Sequence, residues 1–195
     1  MTVDTNAPTG RRSDTRRRMV VGAAKVISAG GVDAMSLRDL ALQAGVPLGS
    51  TYHHFPDGKA QLVDEAVRLV GGQVTALIDE ARTQGTDTVL HVFADRWRRV
   101  LEASDYGAGC PVAAAAVASD PRHHEVAREV FEDWHRALTE ALRDSGVPAE
   151  RAGRLARTVL AATEGAVSLA RASRSSAPLD EVVDELSALV ESARG

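Results

Sequence analysis

Apolar residues recur along this chain at intervals of three and four residues, and this spacing limits the fold more than any other feature of the sequence. Val20, Ala23, Ala24 and Ile27 are the first example. The spacing gathers apolar side chains on one face of an α-helix, whereas a half-buried strand alternates at every second residue. No part of the sequence alternates convincingly in that way or repeats internally. We therefore predict an all-α protein.

Glycine, serine and proline mark out three helices near the start of the chain. The first ends at the pair Gly30-Gly31, which is typical of a helix C-terminus. Ser36, with Asp39 three residues later, approximates a capping box at the start of the second helix. Gly45 ends that helix. Residues 47–54 form the third, because proline is tolerated in the first turn of a helix.

The rest of the chain shows the same helical pattern. From Asp57, which we place as an N-cap, one apolar stripe continues to Ala81. The pair Gly71-Gly72 lies inside it, and each glycine costs about 1 kcal/mol relative to alanine in a helix interior, so we expect a soft point there. Further helices are predicted at roughly 88–103, 111–118, 123–144, 149–173 and 179–192.

The stretch "GVPLGSTYHHF", residues 45–55, joins the second helix to the third. Two short helices joined by a tight glycine turn form a helix-turn-helix, whose second helix enters the major groove of DNA. Any helical hairpin with a glycine turn gives part of this pattern. DNA binding is favoured by the donors for phosphate groups along the third helix and just after it, which are Ser50, Thr51, Tyr52, His53, His54 and Lys59.

Charge is divided unevenly between the two parts of the chain. Residues 1–59 carry eight Lys or Arg side chains and five Asp or Glu side chains, a net charge of +3, whereas the whole chain carries −4. The remaining residues therefore carry −7. A basic N-terminal part on an acidic body indicates that only one part faces a polyanion such as DNA.

The segment "SLRDLALQAGVPLGSTYHHFPDGKAQL", from Ser36 to Leu62, resembles the TetR family of bacterial transcriptional regulators. Within that family, "YHHFPDGK" together with "GCP" at residues 109–111 is similar to the LmrA/YxaF branch. The resemblance implies an all-helical homodimeric repressor, which binds a palindromic operator and is released by a small ligand. It implies an N-terminal three-helix DNA-binding domain and a C-terminal helical domain for ligand binding and dimerisation.

The resemblance also implies roles for residues of the helix-turn-helix. Arg38 and residues 48–50 become candidate base readers, and Phe55 is assigned to packing. Pro47 stands where many members have a serine cap, so one capping hydrogen bond must be made differently or left to water. Leu48 replaces a polar residue or proline, which predicts contact with a thymine methyl group. The predicted DNA-binding residues are Ser36, Arg38, Pro47, Leu48, Gly49, Ser50, Tyr52, His53 and Lys59.

Three parts of the chain follow from these assignments. Residues 1–12 are predicted to be a flexible basic arm, residues 13–58 the helix-turn-helix domain, and residues 59–195 the domain for ligand binding and dimerisation. The arginine cluster of residues 10–18 either contacts the minor groove or phosphates, or is a solvated mobile end. The sequence leaves both interpretations open.

Aromatic residues are scarce, and both tryptophans lie outside the DNA-binding part. Aromatic side chains with a few polar groups are typical of ligand pockets, although at helical spacing they are also typical of a core. Cys110 precedes a proline at a predicted helix N-terminus, which lowers the pKa of a thiol, so Cys110 is either a redox or electrophile sensor or a core residue. The predicted ligand-binding residues are Phe93, Trp97, Tyr106, Cys110, Phe131, Trp134 and His135.

The last two helices, at about 149–173 and 179–192, are predicted to form a homodimer. Small residues at 161, 162, 165 and 166 allow close approach of helices in the first of them. An apolar stripe along the second is the other half of the predicted interface. The stripe consists of Leu179, Val182, Val183, Leu186, Leu189 and Val190.

Several other classes of protein are disfavoured by the sequence. No apolar run reaches the length of a membrane span, no signal peptide is apparent, and a lone cysteine suits a reducing compartment, so we expect a cytoplasmic protein without membrane association. No cofactor is expected. Adjacent histidines at 53–54 and at 123–124 do not easily share one ion, so no metal site is expected either.

Two alternatives to a DNA-binding regulator fit an all-helical chain. An all-helical enzyme would have Glu164, His135 and Cys110 as its only reactive groups, and no phosphate-binding or nucleophile motif supports it. A helical carrier protein would retain the helix-turn-helix without binding DNA. Tyr52 and Lys59 favour retained DNA binding over the carrier.

Overall fold

A computed structural model describes residues 8–84 and 86–194, and the part it describes is helical with no strand. Every helix predicted in the body is present, with ends within two residues of those predicted, so the all-α prediction is confirmed. The helices are α1 (Pro8–Gly30), α2 (Leu37–Gln43), α3 (Leu48–His54), α4 (Gly58–Arg82), α5 (Thr86–Ala103), α6 (Pro111–Ala116), α7 (Arg122–Asp144), α8 (Ala149–Ser173) and α9 (Ala177–Glu191).

Helix α1 begins inside the segment that we assigned to a flexible arm. Its backbone is helical from Pro8, so residues 8–12 differ from the prediction, whereas residues 1–7 lie outside the described part of the chain. Met19, Ala23 and Ile27 are fully buried on one face of α1. This face packs mainly against α4 and joins the helix-turn-helix to the rest of the protein.

Helix α4 is the central element of the fold, because it packs against α1 at one side and against α5 and α7 at another. Its buried face is apolar along its whole length, from Leu62 to Ala81. At its far end Arg82 pairs with Glu140 and Asp144 of α7, which places the C-terminus of α7 beside that of α4. With 25 residues, α4 separates this end from the helix-turn-helix by about 37 Å.

Gly71, the first residue of the glycine pair in α4, makes a close helix contact, and the soft point expected at this pair stays a prediction. A Cβ added to Gly71 would lie 2.7 Å from Cγ1 and 2.8 Å from Cγ2 of Val130 on α7. The carbonyl of Gly71 also accepts a hydrogen bond from Trp134 Nε1 at 3.0 Å. Gly72 faces open space, since an added Cβ there meets nothing within 4 Å. Gly71 is therefore required by packing, and α4 is continuous through both glycines.

Helices α5 to α9 form the body around one apolar core. Helix α7 packs against α4, α6 and α8, and α9 packs against α5 and α8. The predicted stripe of α9 mostly faces inward: Leu179, Val183, Leu186 and Val190 are buried within the protomer, and Leu189 is 37% exposed. This stripe therefore stabilises the single chain, and most of it is unavailable to a second copy.

The helix-turn-helix domain is tied to the body at the C-terminus of α1. The N–H of Gly109, just before α6, donates to the carbonyl of Ser28 at 2.8 Å. Arg171 of α8 donates to the carbonyls of Ala29 and Gly107, at 3.3 and 3.0 Å. A cation at the carbonyl end of a helix is favoured by the helix dipole. These hydrogen bonds connect the α5–α6 connection and α8 to the C-terminus of α1.

Candidate DNA-binding surface

The turn between α2 and α3 determines how these two helices meet. Gly45 has φ +66°, a left-handed conformation that glycine adopts without steric cost. Its N–H donates to the carbonyl of Leu42 at 3.1 Å, and the N–H of Val46 donates to that of Ala41 at 2.9 Å. These bonds satisfy carbonyls at the end of α2 and direct the chain into α3.

Helix α3 and the residue after it have an inner and an outer face. Thr51 and Phe55 are fully buried, and the guanidinium of Arg16 lies over the Phe55 ring, with 5.2 Å between Cζ and the ring centroid. The predicted packing role of Phe55 is confirmed. On the outer face Leu48 is 41% exposed and Tyr52 is 54% exposed. Large apolar and aromatic side chains are thus held outward by a buried inner face.

The outer face of α3 continues through the other residues that the sequence singled out. Pro47, Gly49 and His53 are exposed, and Ser50 is half-buried. A Cβ added to Gly49 would meet no atom within 4 Å, so packing among the described residues does not require glycine there. Arg38 is exposed on α2, the neighbouring helix of the pair. Turn, exposure and spacing together give α3 the form of a helix that can be inserted into a groove.

The two helix starts are capped in different ways. Ser36 Oγ accepts a hydrogen bond from the N–H of Asp39 at 3.4 Å, which confirms the predicted cap of α2. A hydroxyl that accepts one bond still has its proton to donate, so the cap leaves Ser36 able to contact phosphate. Pro47 at the N-cap of α3 makes no side-chain bond, as predicted, and the N–H of Ser50 closes the first turn on the Pro47 carbonyl at 2.9 Å.

Positive charge without an acidic partner surrounds this surface. Among the described residues, no ion pair is formed by the side chains of Arg17, Lys25, Arg38 and Lys59. In contrast, Arg16 pairs with Glu65 at 2.5 Å and Arg18 with Asp14 at 3.4 Å. Unpaired cations remain available for phosphate groups, whose neutralisation supplies much of the affinity of DNA-binding proteins.

Two residues on or near this surface were missed by the residue assignments made from the sequence. Lys25 lies on α1, and the only signal for it was the net positive charge of residues 1–59, whereas Arg17 was already included in the arginine cluster of residues 10–18. Leu42, on α2, is 80% exposed and lies one helical turn after Arg38. The spacing of four residues between Arg38 and Leu42 was visible in the sequence. The exposure of Leu42 could not be predicted, because leucine side chains are usually buried.

The aromatic residues of the body form a closed cluster. Trp97 contacts Phe93 and Trp134 edge to face, with ring centroids 6.5 and 6.4 Å apart, and Phe93 and Trp134 contact each other at 6.2 Å. All three are at most 1% exposed. Phe131 extends the cluster from the side, at 5.6 Å from Trp134. Phe93, Trp97 and Trp134 are therefore core residues in this structure.

Cys110 is buried, and its environment contradicts the predicted lowering of its thiol pKa. Burial, together with the neighbouring Glu164 carboxyl, raises the pKa of the Cys110 thiol well above its ordinary value. Burial also raises the pKa of Glu164, to about 7, although the Cys110 thiol opposes this. Glu164 Oε1 has no hydrogen-bond partner within the described chain. Cys110 is thus a protonated core thiol, because burial outweighs the short helix that it precedes.

The remaining residues of the predicted ligand site are separated from one another. Phe131 and His135 line a cavity of about 420 Å³ between α7 and α8, which Glu164 also borders. His135 Nε2 lies 2.8 Å from the carbonyl of Gly153. Tyr106 lies in the α5–α6 connection with φ +60° and is half-buried. The structure does not gather the seven predicted residues around one cavity, and ligand contact by Phe131, His135 and Tyr106 stays a prediction.

The adjacent histidines serve different purposes. His123 Nδ1 lies 2.9 Å from Asp64 Oδ1, and His124 Nε2 lies 2.9 Å from the carbonyl of Ala118. These contacts join the start of α7 to α4 and to the loop after α6. Over residues 8–84 and 86–194, no three His, Cys, Asp or Glu side chains are arranged to hold a metal ion.

Comparison with known proteins finds two family matches along the chain. Residues 20–66 match the family of bacterial regulatory proteins, tetR family, and residues 88–185 match the C-terminal domain of LmrA/YxaF-like transcriptional regulators. An uncharacterised HTH-type transcriptional regulator of Mycobacterium tuberculosis is 39% identical over 179 residues, which cover 88% of this chain and 91% of the relative.

The chain belongs to the TetR family of bacterial transcriptional regulators.

Two further similarities agree with this assignment to the TetR family. YxaF of Bacillus subtilis, named an uncharacterised HTH-type transcriptional regulator, is 27% identical over 185 residues, 92% of this chain and 96% of that protein. The crystal structure of a TetR transcriptional regulator from Chloroflexus aurantiacus superimposes with a TM-score of 0.78 at 25% identity, over 94% of this chain and 97% of that one.

Membership of the TetR family excludes one of the two alternatives left open by the sequence. The family consists of DNA-binding transcriptional regulators, so the alternative of an all-helical enzyme is excluded. Its LmrA/YxaF branch, which the sequence around residues 52–59 and 109–111 resembled, is confirmed by the C-terminal match. Among the described helices, none is long and apolar enough to cross a membrane.

Proposed function

We propose that this TetR-family regulator is a homodimeric cytoplasmic repressor, which binds a palindromic operator and is released by a small hydrophobic molecule. The observation that carries the proposal is the outer face of α3. Leu48, Tyr52 and His53 are held outward there by a buried inner face, next to cations without acidic partners. DNA is the ligand that fits an exposed helix within such a positive surface.

Base reading and phosphate contact are assigned to different residues. Arg38 is exposed and long enough to pair with guanine O6 and N7, and Leu48 contacts a thymine methyl group. Gly49 has free space around it, which allows the α3 backbone to approach the DNA closely. Ser36, Ser50, Tyr52, His53 and Lys59 donate to phosphates, and Pro47 fixes the start of α3. Phosphate contacts position the helix, whereas base contacts specify the sequence.

Dimerisation is assigned to the outward faces of α8 and α9. Leu169 on α8 is 60% exposed and Leu189 on α9 is 37% exposed, and each is a large apolar side chain on a helix surface. Ala161 and Gly165 are exposed on the same side of α8, where small side chains let a second helix approach. Four helices, two from each protomer, would then relate the two α3 helices by a two-fold axis.

Selection of duplexes from a random DNA library tests the proposal. Wild-type protein is expected to enrich an inverted repeat with one half-site for each α3. Leu48→Ala is expected to relax preference for thymine at one position of each half-site. Val117→Ala is the matched control, because it removes an exposed apolar side chain from the body and should leave every position unchanged.

Three results would each contradict a part of the proposal. If the library yields no enriched sequence at low salt, the helix-turn-helix does not bind DNA by itself, and a carrier becomes the better interpretation. If Leu48→Ala changes no position of the enriched repeat, its contact with a thymine methyl group is wrong. An enriched sequence without two-fold symmetry would contradict the dimer.

A further inference from the structure

A cavity of about 610 Å³ lies at the junction between the DNA-binding domain and the body. Its walls come from α1, α4, α5 and the start of the α5–α6 connection. Val21, Leu69, Val70 and Val100 are among the side chains that make these walls apolar. The volume lies within the range of cavities that bind small organic molecules, and such sites combine apolar walls with a few polar groups.

The charged groups that line this cavity are both cations. Lys25 borders it from α1 and Arg96 from α5, and no aspartate or glutamate is among the lining residues. The other lining polar side chains, Ser28, Gln73 and Ser104, are neutral. An apolar chamber with two cations and no acid is complementary to an anion that carries an apolar body.

Arg96 differs from Arg82 and Arg98, two other arginines of the body, in having no carboxylate partner among the described residues. Arg82 and Arg98 each pair with two carboxylates, Arg82 with Glu140 and Asp144. Arg96 is half-buried and makes no ion pair within the described residues; its guanidinium lies 5.8 Å from the Trp97 ring centroid. Burial lowers the pKa of Arg96, and no carboxylate is close enough to offset that. A partly buried cation without a counter-ion is costly to a folded protein unless something supplies the missing charge.

We propose that the junction cavity binds an organic acid, whose carboxylate pairs with Arg96 and Lys25 and whose apolar body fills the space between α1, α4 and α5. A guanidinium binds a carboxylate through two parallel hydrogen bonds, which gives such a pair both strength and direction. The proposal rests on the proposed function in one respect: the bound acid is the small molecule that releases the operator. In this proposal the small molecule binds in the junction cavity and not among the aromatic residues of the body, which form a closed cluster.

The position of the cavity explains how its occupant would act on DNA. Lys25 belongs to the DNA-binding domain and Arg96 to the body, so one carboxylate bridges the two. Ser28 and Gly107, which also line the cavity, belong to the two segments that Gly109 and Arg171 tie together. An acid that draws α1 towards α5 moves α3 with it, and the separation of the two α3 helices in the dimer changes. Such a ligand shifts the equilibrium by its difference in affinity for the two arrangements.

Calorimetric titration with two carboxylates, decanoate and naphthoate, tests the site without DNA. Each acid is compared with its own carboxamide, which keeps the apolar body and removes the charge. At least one carboxylate is expected to bind more than tenfold more tightly than its amide, and Arg96→Gln is expected to weaken that carboxylate about tenfold. Arg143→Gln, an exposed arginine at the C-terminal end of α7 that does not border the cavity, is the matched control and should change affinity less than twofold.

Lys25→Gln gives a second test that does not depend on the stability of the body, because Lys25 is exposed on α1. It should weaken the same carboxylate severalfold. Failure of both acids to bind, equal binding of acid and amide, or equal effects of Arg96→Gln and Arg143→Gln would each overturn the proposal of an anion site.

Operator release is measured separately, with a selected duplex in the presence of the carboxylate that binds. Release by wild type but not by Arg96→Gln supports both the site and its regulatory role. Binding of the acid without release leaves the anion site in place and contradicts its role as the operator's effector. Absence of any selected duplex contradicts the proposed function and leaves the titration result unaffected.

Discussion

Replacement of each glycine in the α4 pair by alanine separates a packing effect from a helix-propensity effect. Alanine in place of either glycine gains about 1 kcal/mol of helix stability. At Gly72 nothing opposes this gain, since the added methyl meets open space. At Gly71 the methyl would lie 2.7 Å from Val130 Cγ1, and overpacking of this kind costs about 1 to 3 kcal/mol.

The hydrogen bond at the same contact adds to the cost of Gly71→Ala. If α7 moves away to admit the methyl, the 3.0 Å bond from Trp134 Nε1 to the Gly71 carbonyl is weakened, and such a bond contributes about 1 kcal/mol. We therefore expect Gly71→Ala to lower the free energy of unfolding by about 1 to 3 kcal/mol. Gly72→Ala should raise it by up to about 1 kcal/mol, so the two variants should differ by about 2 kcal/mol or more.

Urea denaturation, followed by circular dichroism at one protein concentration, measures this difference. The concentration is held constant because association shifts apparent stability. In a Val130→Ala background the clash is removed, and the two glycine variants should then have similar effects. Equal stabilisation by both substitutions in the wild-type background would refute the close contact between α4 and α7 at Gly71.

Three further predictions concern buried or capping groups. The pKa of Glu164 is about 7 in the folded protein, above its ordinary 4.5, so the folded state holds the extra proton between these values; the free energy of unfolding should fall by up to about 3 kcal/mol as pH rises from 4.5 to 7, and urea denaturation of Glu164→Gln should lose this dependence. Because burial raises the pKa of the Cys110 thiol, labelling by a disulfide reagent at pH 8 should be far slower in the native protein than in urea, and equal rates would show an exposed thiol. Ser36→Ala should cost about 1 kcal/mol in thermal or urea denaturation through loss of the α2 cap, and Ser36→Gly only a few tenths; similar costs would indicate that the Ser36 hydroxyl does not cap.

Local rules predicted the helices and the helix-turn-helix because the signals lie within a few residues of what they determine. Ser36 caps α2 through the amide of Asp39, and Gly45 turns the chain between α2 and α3. The outer face of α3 was predicted through the family resemblance, which assigned Phe55 to packing and Leu48 and Tyr52 to DNA contact; Phe55 is buried and the other two are exposed. In these elements, the residues that contact one another are also close together in the sequence.

Features set by contacts between distant segments were beyond this kind of prediction. Close packing against Val130, nearly 60 residues away in the sequence, requires glycine at position 71. From the sequence alone, Gly71 indicated only a lower helix propensity within α4. The sequence showed that Cys110 lies just before the start of a helix. It could not show that α8 and the surrounding core bury the Cys110 thiol and so raise its pKa. Arg96 carried no signal, because the absence of a counter-ion is a property of the folded protein.

The most direct test of DNA recognition by α3 is the salt dependence of affinity for a selected duplex. Wild-type affinity should fall steeply as salt rises, because phosphate contacts release counter-ions. Tyr52→Ala should abolish preference for the selected sequence, and Lys59→Gln should reduce the slope by about 2, because each protomer then neutralises one phosphate fewer. Arg143→Gln, at the C-terminal end of α7 and remote from α3, should leave the slope unchanged. Equal slopes for wild type and Lys59→Gln, with sequence preference intact in Tyr52→Ala, would contradict DNA recognition by this surface.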